Sequence, residues 1–147
     1  MLLRRLIAFS LVAIVLTACS KGPPTPGELK DFSTVCDKAN NGKRVALEGY
    51  LRFPSSFKDS NSVVLRLYQV EDFKSPPIGV TLQMGKQPNQ VEQVPKQFTD
   101  KDMKVHLADG QVIGIGTKVR VSGNVYFPIV DQEFACALEN PLVELAK

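Results

Sequence analysis

The chain has little of the side-chain chemistry on which most enzymes depend. It contains no tryptophan, three cysteines and a single histidine, His106. A Ser/His/Asp or Cys/His relay would have to be built on that histidine, which lies beside an Asp-Gly pair and is expected to be an ordinary strand or turn residue. The cysteines lack the Cys-x-x-Cys spacing of metal and redox sites. We therefore expect a protein that is not an enzyme, with no catalytic residue, no metal site and no cofactor.

Two further patterns that can carry chemistry are incomplete. Asp100, Asp102 and Asp109 are spaced acids, but the central glycine and terminal glutamate of a calcium loop are missing, which favours solvated loop charges. The glycines between Gly110 and Gly116 match neither phosphate-binding pattern and open a strand, which favours a flexible turn. A pair of carboxylates converging from distant positions, as in glycosidases, stays open, although the sequence nominates no pair.

The first 18 residues have the pattern of an export leader. Arg4 and Arg5 precede a run from Leu6 to Leu16 in which only Ser10 is polar. This run is shorter than the about 20 apolar residues that a spanning helix needs, so we expect it to direct export. Removal of 18 residues from the 147-residue chain leaves 129, enough for one domain, and the formal charge falls from +3 to +1 because both arginines leave. This excess is too small to indicate nucleic-acid binding.

The end of the leader, Leu16-Thr17-Ala18-Cys19, resembles the lipobox of bacterial lipoproteins. The resemblance implies that Cys19 carries a diacylglycerol and is the first residue of the mature protein. It also implies an anchor in the cell membrane or the outer membrane, with the domain facing the periplasm or the cell exterior. Ser20, the residue after the cysteine, favours sorting to the outer membrane. The alternatives are an ordinary secretory leader with an incidental cysteine, or an uncleaved anchor.

The two remaining cysteines, Cys36 and Cys136, form an even pair in an oxidising compartment. We therefore predict a disulfide between them. The two positions are 100 residues apart. The chain-entropy account of cross-linking assigns a loop of this length about 4.7 kcal/mol of stabilisation.

The mature chain is expected to begin with a spacer and a short helix. Residues 19–27 are rich in proline and glycine, which predicts an extended tether between the lipid and a domain at 28–147. From Glu28 to Asn40, apolar residues at roughly helical spacing predict one short helix, which ends at Asn40-Asn41-Gly42.

From Lys43 onwards, apolar and polar residues alternate, which is the pattern of half-buried strands. Asn140-Pro141 is expected to break the last of these strands, before an extra strand or short helix. The polar stretch 85–104 is expected to hold at most one helical turn, around 96–103. An Asp109-Gly110 hairpin spans 105–113. The five main strands are expected at 43–53, 62–70, 78–84, 118–127 and 134–138.

A helix followed by five main strands, with an insertion after the third, is the element order of the oligonucleotide/oligosaccharide-binding (OB) barrel. The phrases Val45-Ala-Leu-Glu-Gly49-Tyr-Leu and Gly116-Thr-Lys-Val-Arg-Val-Ser-Gly123-Asn-Val resemble OB-type strands in which a central glycine allows a strong bend. The resemblance implies an all-β, five-stranded OB-like barrel preceded by a short N-terminal helix. A lipocalin-like barrel needs eight strands and a sandwich about seven, so the strand count favours the smaller barrel.

Strand alternation predicts which side chains face outwards and could bind a ligand. These residues mix tyrosine rings with cations, which suits stacking on sugars or bases and attraction to phosphate or carboxylate groups. The ordinary alternative is a solvent-exposed strand face, on which tyrosine and arginine are common. The candidate ligand-binding residues are Tyr50, Arg52, Arg66, Tyr68, Lys118, Arg120 and Tyr126.

Three function classes follow from these observations. The first is an envelope-anchored module that binds a sugar-like or anionic ligand. The second is a structural component that contacts other proteins of an envelope assembly. The third is a hydrolase that acts on envelope material. An exported, lipid-tethered protein seldom meets nucleic acid, so we expect its partners to be the membrane, envelope proteins or glycans.

Overall fold

The structure is a computed structural model that describes residues 22–56, 61–129 and 133–147. The predicted leader, residues 1–18, and the predicted lipidation site, Cys19, lie outside the described residues. Within these ranges the fold is all-β, and no helix reaches seven residues. No described helix is long and apolar enough to cross a bilayer. The strands are β1 (Glu28–Leu29), β2 (Arg44–Arg52), β3 (Ser62–Tyr68), β4 (Ile78–Met84), β5 (Gln90–Val91), β6 (Val105–His106), β7 (Val112–Ile113), β8 (Lys118–Tyr126) and β9 (Ala137–Leu145).

Five of these strands close a barrel. β2, β3 and β4 are joined by antiparallel ladders in chain order, and β4 pairs in parallel with β9. β9 then pairs with β8, and β8 with β2, both antiparallel, so that the sheet returns to its first strand. The first barrel strand, β2, therefore lies between the second, β3, and the fourth, β8. This closed barrel of five strands is compatible with an OB-like fold.

The interior of the barrel contains the apolar residues that alternation predicts. Val45, Leu47 and Leu51 of β2 are almost completely buried, as are Val119 and Val121 of β8. Side chains from all five barrel strands belong to one hydrophobic cluster. Burial of each of these side chains contributes about 1.5–3 kcal/mol to the free energy of unfolding.

Gly49 and Gly123, predicted as bending points, both lie where another chain segment comes close. A Cβ atom at Gly49 would collide with the carbonyl oxygen of Tyr68, and one at Gly123 would lie 2.8 Å from Cβ of Leu138. Gly123 also lies where the register between β8 and β9 shifts. Both glycines are therefore needed because they let neighbouring strands approach each other.

The insertion after the third main strand forms a small extension of the sheet. β5 continues the barrel edge by parallel pairing with the end of β4, and β6 and β7 follow as antiparallel neighbours. β6 and β7 form the predicted hairpin, with Gly110 at φ +89°. The predicted helical turn within 96–103 corresponds to the 3-10 helix Asp100–Asp102. The two-residue strand β5 was not predicted.

The short helix expected at 28–40 is reduced to turns and the 3-10 helix Lys38–Asn40. Glu28 and Leu29 instead pair in parallel with the first half of β2. One backbone hydrogen bond of α-helical type, from the amide of Val35 to the carbonyl of Asp31, accounts for part of the helical spacing. Val35 is fully buried, while Leu29 is 55% exposed, so the apolar residues do not form one continuous helical face.

The prediction that Asn140-Pro141 breaks the last strand is wrong, because β9 continues from Ala137 to Leu145. The register between β8 and β9 shifts between Ser122 and Asn124, opposite these two residues. Asn140 has φ +51° at this irregularity. A bulge leaves an extra residue unpaired, so proline's missing N–H costs no ladder hydrogen bond there.

Candidate functional site

Pairing between strands brings six of the seven predicted ligand-binding residues onto neighbouring positions. Tyr50 in β2 lies opposite Tyr68 on one side and Lys118 on the other. Two residues further along β2, Arg52 lies opposite Arg66. Arg120 lies opposite Glu48, and Tyr126 is at the other end of β8. The barrel therefore places Tyr50, Tyr68 and Lys118 beside the pair Arg52 and Arg66. Tyr126 lies apart from them.

Arg52 and Arg66 line a cleft of about 360 Å³ at the end of β2, which we call the arginine cleft. Nε of Arg52 donates a hydrogen bond to Oδ2 of Asp100 at 2.7 Å, and Nη2 of Arg66 contacts Oε1 of Glu133. Like charges directly opposite each other in a ladder are destabilising, and these two carboxylates offset that repulsion. The lining residues are Arg52, Phe53, Pro54, Ser55, Arg66, Phe98, Thr99 and Asp100.

Asp100 is held in the cleft by the 3-10 helix that follows Thr99. The backbone amide of Thr99 donates to Oδ2 of Asp102 at 2.8 Å, and the side chain of Thr99 accepts from the Asp102 backbone in return. This capping box orders the turn that carries Asp100. Arg52 is thus oriented by a carboxylate whose own backbone is fixed.

An aromatic pair supports Arg52 from the other side. Cζ of Arg52 lies 4.8 Å from the ring centroid of Phe73, a cation–π geometry. The Phe73 ring in turn meets the ring of Tyr68 edge to face, with centroids 5.2 Å apart. Tyr68 is only 6% exposed, so it cannot offer a ring to a ligand, although strand parity predicted an outward-facing residue. Its structural role is to support the platform beneath Arg52.

Arg120 and Lys118 share one acid outside the cleft. Nε and Nη2 of Arg120 both donate to Oε1 of Glu48, at 2.9 and 2.6 Å, and Nζ of Lys118 lies 4.0 Å from Oε2. The double hydrogen bond occupies much of the Arg120 guanidinium. Arg120 is therefore less able than Arg52 to accept an anion.

Tyr126 belongs to a different part of the surface. Its hydroxyl forms a hydrogen bond of 2.9 Å with Oγ1 of Thr81 across β9. Thr81 lines a second cavity of about 410 Å³, which we call the amide cavity because of its many amide side chains. Its lining residues are Gly22, Pro24, Thr81, Gln83, Pro88, Asn89, Gln90, Glu139, Asn140 and Pro141.

Part of the outer face of β3 and β4, which OB-type domains use for ligands, is covered in this chain, around Gly79 and Val64. A Cβ atom at Gly79 of β4 would lie 3.0 Å from Cγ1 of Val64 and 3.1 Å from Cδ2 of Phe134. Phe134 is 6% exposed, and the adjacent Glu133 contacts Arg66. The chain just before β9 therefore lies over this part of the face and contacts the arginine cleft through Glu133.

The comparisons with known proteins give no relative. No protein-family model, curated protein or solved structure matches this chain.

The predicted disulfide between Cys36 and Cys136 is present, with Cα atoms 5.4 Å apart. It joins the turns that follow β1 to the residue before β9. Because the covering residues Glu133 and Phe134 lie two or three positions from Cys136, the disulfide also fixes the segment that covers Gly79 and Val64.

The residues first considered as catalytic or metal-binding lie in ordinary structural surroundings. Nε2 of His106 is buried 3.4 Å from Oε1 of Glu92 and forms no hydrogen bond among the described residues. Oδ1 of Asp109 accepts a hydrogen bond from the backbone amide of Gln111. Asp100 and Asp102 form the contacts of the cleft described above. Within residues 22–56, 61–129 and 133–147, no three histidine, cysteine or acidic side chains are arranged to hold a metal ion.

Sequence reasoning missed several residues that build the arginine cleft. The sequence indicated Asp100 only as one of three spaced acids with solvated charges, and nothing in it paired Asp100 with Arg52, 48 positions away. Phe73, Phe98 and Glu133 were not considered, because their contacts with the cleft are formed by loops from distant parts of the chain. No local periodicity could have indicated these contacts.

Proposed function

We propose that this chain is a lipid-anchored envelope protein whose OB-like barrel binds an anionic ligand at the arginine cleft. The observation that carries the proposal is the direct pairing of Arg52 with Arg66 at the wall of one cleft. Arginine forms bidentate hydrogen bonds with carboxylates and phosphates, and two adjacent guanidinium groups can hold one polyanion. The proposed anchor rests on the lipobox-like residues that end at Cys19.

The ion pair between Arg52 and Asp100 is partly exposed, which supports the replacement of Asp100 by an anionic ligand. The Arg52 side chain is 42% exposed and that of Asp100 is 25% exposed, so water reaches their ion pair. Such exposed pairs contribute at most about 1 kcal/mol. A ligand carboxylate or phosphate can therefore replace the protein carboxylate at small cost, while Phe73 keeps the Arg52 guanidinium in place.

A binding assay with the full mature chain in detergent tests this proposal. The ligand is polygalacturonate, and neutral dextran of similar size is the control polymer. We expect polygalacturonate to bind and its affinity to fall with added salt. Arg52→Gln and Arg66→Gln should each weaken binding by about tenfold, which corresponds to about 1.4 kcal/mol. Lys38→Gln, which removes one charge at an exposed position away from the cleft, should change it little.

Circular dichroism spectra and thermal unfolding of each variant show whether the barrel remains folded. If both arginine variants stay folded and bind polygalacturonate as the unchanged chain does, the arginine cleft is not the ligand site. Equal binding of dextran and polygalacturonate would also contradict the proposal, because charge would then play no part.

A second candidate function, contact with another envelope protein, is favoured by a separate surface. Leu29 and Val70 are 55% and 50% exposed and line one depression of about 370 Å³ with Phe32. Exposed apolar side chains grouped together are typical of protein contacts. Cross-linking in intact cells tests this function. The double variant Leu29→Lys with Val70→Lys should no longer cross-link to a specific partner protein, whereas Arg52→Gln should still do so.

A further inference from the structure

The amide cavity contrasts with the arginine cleft in its chemistry. Its wall contains the side-chain amides of four residues, one carboxylate from Glu139 and no lysine or arginine. Three prolines, which present rigid apolar rings, complete it. No cationic side chain lines the cavity; the guanidinium of Arg44, which donates to the carbonyl oxygen of Asn140, is already bound by protein oxygens. The four amides belong to Gln83, Asn89, Gln90 and Asn140.

The hydrogen bonds of two of these amides fix their orientation. Oδ1 of Asn89 accepts from the backbone amide of Val143 at 2.7 Å, and Oε1 of Gln90 accepts from the backbone amide of Gln87 at 3.0 Å. Both oxygens are thus engaged by the protein, and neither NH2 group has an acceptor among the described residues. These NH2 groups remain as donors to a ligand, while Gln83 and Asn140 offer both donors and acceptors.

The backbone around the cavity is held in an uncommon conformation. Asn89 has φ +61° and Asn140 has φ +51°. Only one other non-glycine residue of the described ranges, Phe73, has a positive φ. Residues in this region tend to cluster where a ligand is held, although asparagine tolerates the conformation better than most residues. Both of these positions line the same cavity.

We propose that the amide cavity is a second binding site, for uncharged carbohydrate. Amide groups donate and accept in the same way as sugar hydroxyls, and the flanking proline rings can pack on the apolar faces of a sugar ring. Glu139 can accept a hydrogen bond from a hydroxyl group and would repel an acidic sugar. This site is separate from the arginine cleft and does not depend on the anionic ligand proposed there.

The position of the cavity in the chain suggests two sources for such a sugar. Gly22 lines the cavity and is three residues from Cys19, a span of at most about 11 Å. If Cys19 carries the proposed lipid, the cavity opens close to the membrane surface. The sugar can then belong to a neutral glycolipid headgroup or to a glycan strand that lies near the membrane.

Binding of the full mature chain to two kinds of probe tests the proposal. The first is an array of neutral and acidic oligosaccharides. The second is phosphatidylcholine vesicles with and without digalactosyldiacylglycerol. We expect binding to neutral oligosaccharides, to the glycolipid vesicles, or to both, with little dependence on salt. Binding to the vesicles alone would identify a headgroup, and binding to array oligosaccharides a glycan strand.

Matched variants locate the binding. Gln83→Leu and Asn140→Gly should each weaken it by about tenfold, the second without strain because glycine accepts a positive φ. Gln97→Leu, an exposed position outside the cavity, should leave it unchanged, as should Arg52→Gln, which separates this site from the arginine cleft. The proposal is overturned if no neutral oligosaccharide or glycolipid vesicle binds, or if both cavity variants remain folded and bind normally.

Discussion

At the scale of single residues, Arg44 connects three distant segments through one guanidinium group. Its Nε donates to the carbonyl oxygen of Thr25 at 2.6 Å. Its Nη1 donates to Oδ1 of Asn124 at 2.8 Å and to the carbonyl oxygen of Asn140 at 2.9 Å. Partial burial lowers the pKa of Arg44 from its ordinary value, but the group stays charged at neutral pH. The described part of the predicted tether is therefore attached to the barrel at Thr25.

We expect Arg44→Ala to lower the free energy of unfolding by about 1–3 kcal/mol, because its acceptors lose a charged donor. Denaturant unfolding measures this loss, and limited proteolysis should show faster cleavage near residues 22–30. Arg44→Lys, which keeps the charge without the forked geometry, should recover only part of the stability. Unchanged unfolding and cleavage in Arg44→Ala would show that the tether is held by other contacts.

Gly49 is a position in β2 that has no room for a side chain. A Cβ atom there would collide with the carbonyl oxygen of Tyr68, a backbone atom that cannot move away easily. Gly49→Ala should therefore destabilise the barrel by about 1–3 kcal/mol, the usual cost of overpacking. At Gly114 the nearest atom is 3.4 Å away, so Gly114→Ala is the matched control. Equal melting temperatures for the two variants would contradict this account of the bend.

At the scale of structural elements, the Cys36–Cys136 disulfide joins the N-terminal turns to the start of β9. Cys36→Ala with Cys136→Ala should lower the free energy of unfolding by up to about 4.7 kcal/mol, the chain-entropy value for a loop of about 100 residues. Denaturant unfolding of this double variant, and of the unchanged protein with and without reductant, measures the difference. If the oxidised protein is no more stable than the double variant, the disulfide contributes nothing to the barrel.

The barrel strands were predictable because alternation is a local property that burial on one side enforces. The predicted 78–84 agrees with β4, and the limits of β2 and β8 differ from prediction by one residue at each affected end. The helix at 28–40 was overpredicted because turns packed on a core reproduce helical spacing over a short range. The continuation of β9 through Pro141 depends on a bulge against β8, which only the paired strand reveals.

The candidate site was predictable only in part, because strand alternation is local whereas loop contacts are not. Parity on β2 and β3 correctly placed Arg52 and Arg66 on the same side of the barrel, where they face each other. It did not show that Tyr68 is covered by Phe73, because that contact depends on the path of a loop. Nor did it show that Tyr126 lies apart from the other residues, beside Thr81 of β4.

At the scale of the whole molecule, the proposed lipid at Cys19 decides where the barrel is found. Mass spectrometry of the mature N-terminus should show an acylated Cys19, and Cys19→Ser should move the protein from the membrane fraction to the soluble fraction. Two or three acyl chains together hold a protein on a bilayer essentially permanently, whereas one chain binds only marginally. An unmodified cysteine, or cleavage at another position, would contradict the lipid anchor.

The disulfide also decides how the molecule responds to mechanical force. A pull applied to the two ends of the chain passes through the bond between Cys36 and Cys136 and does not extend the strands enclosed between them. These 100 residue steps correspond to roughly 350 Å of polypeptide that cannot be drawn out while the bond is intact. A ligand bound at the arginine cleft would instead pull on residues inside the loop that the disulfide closes. The hydrogen bonds of the barrel, and not the disulfide, must then resist the force.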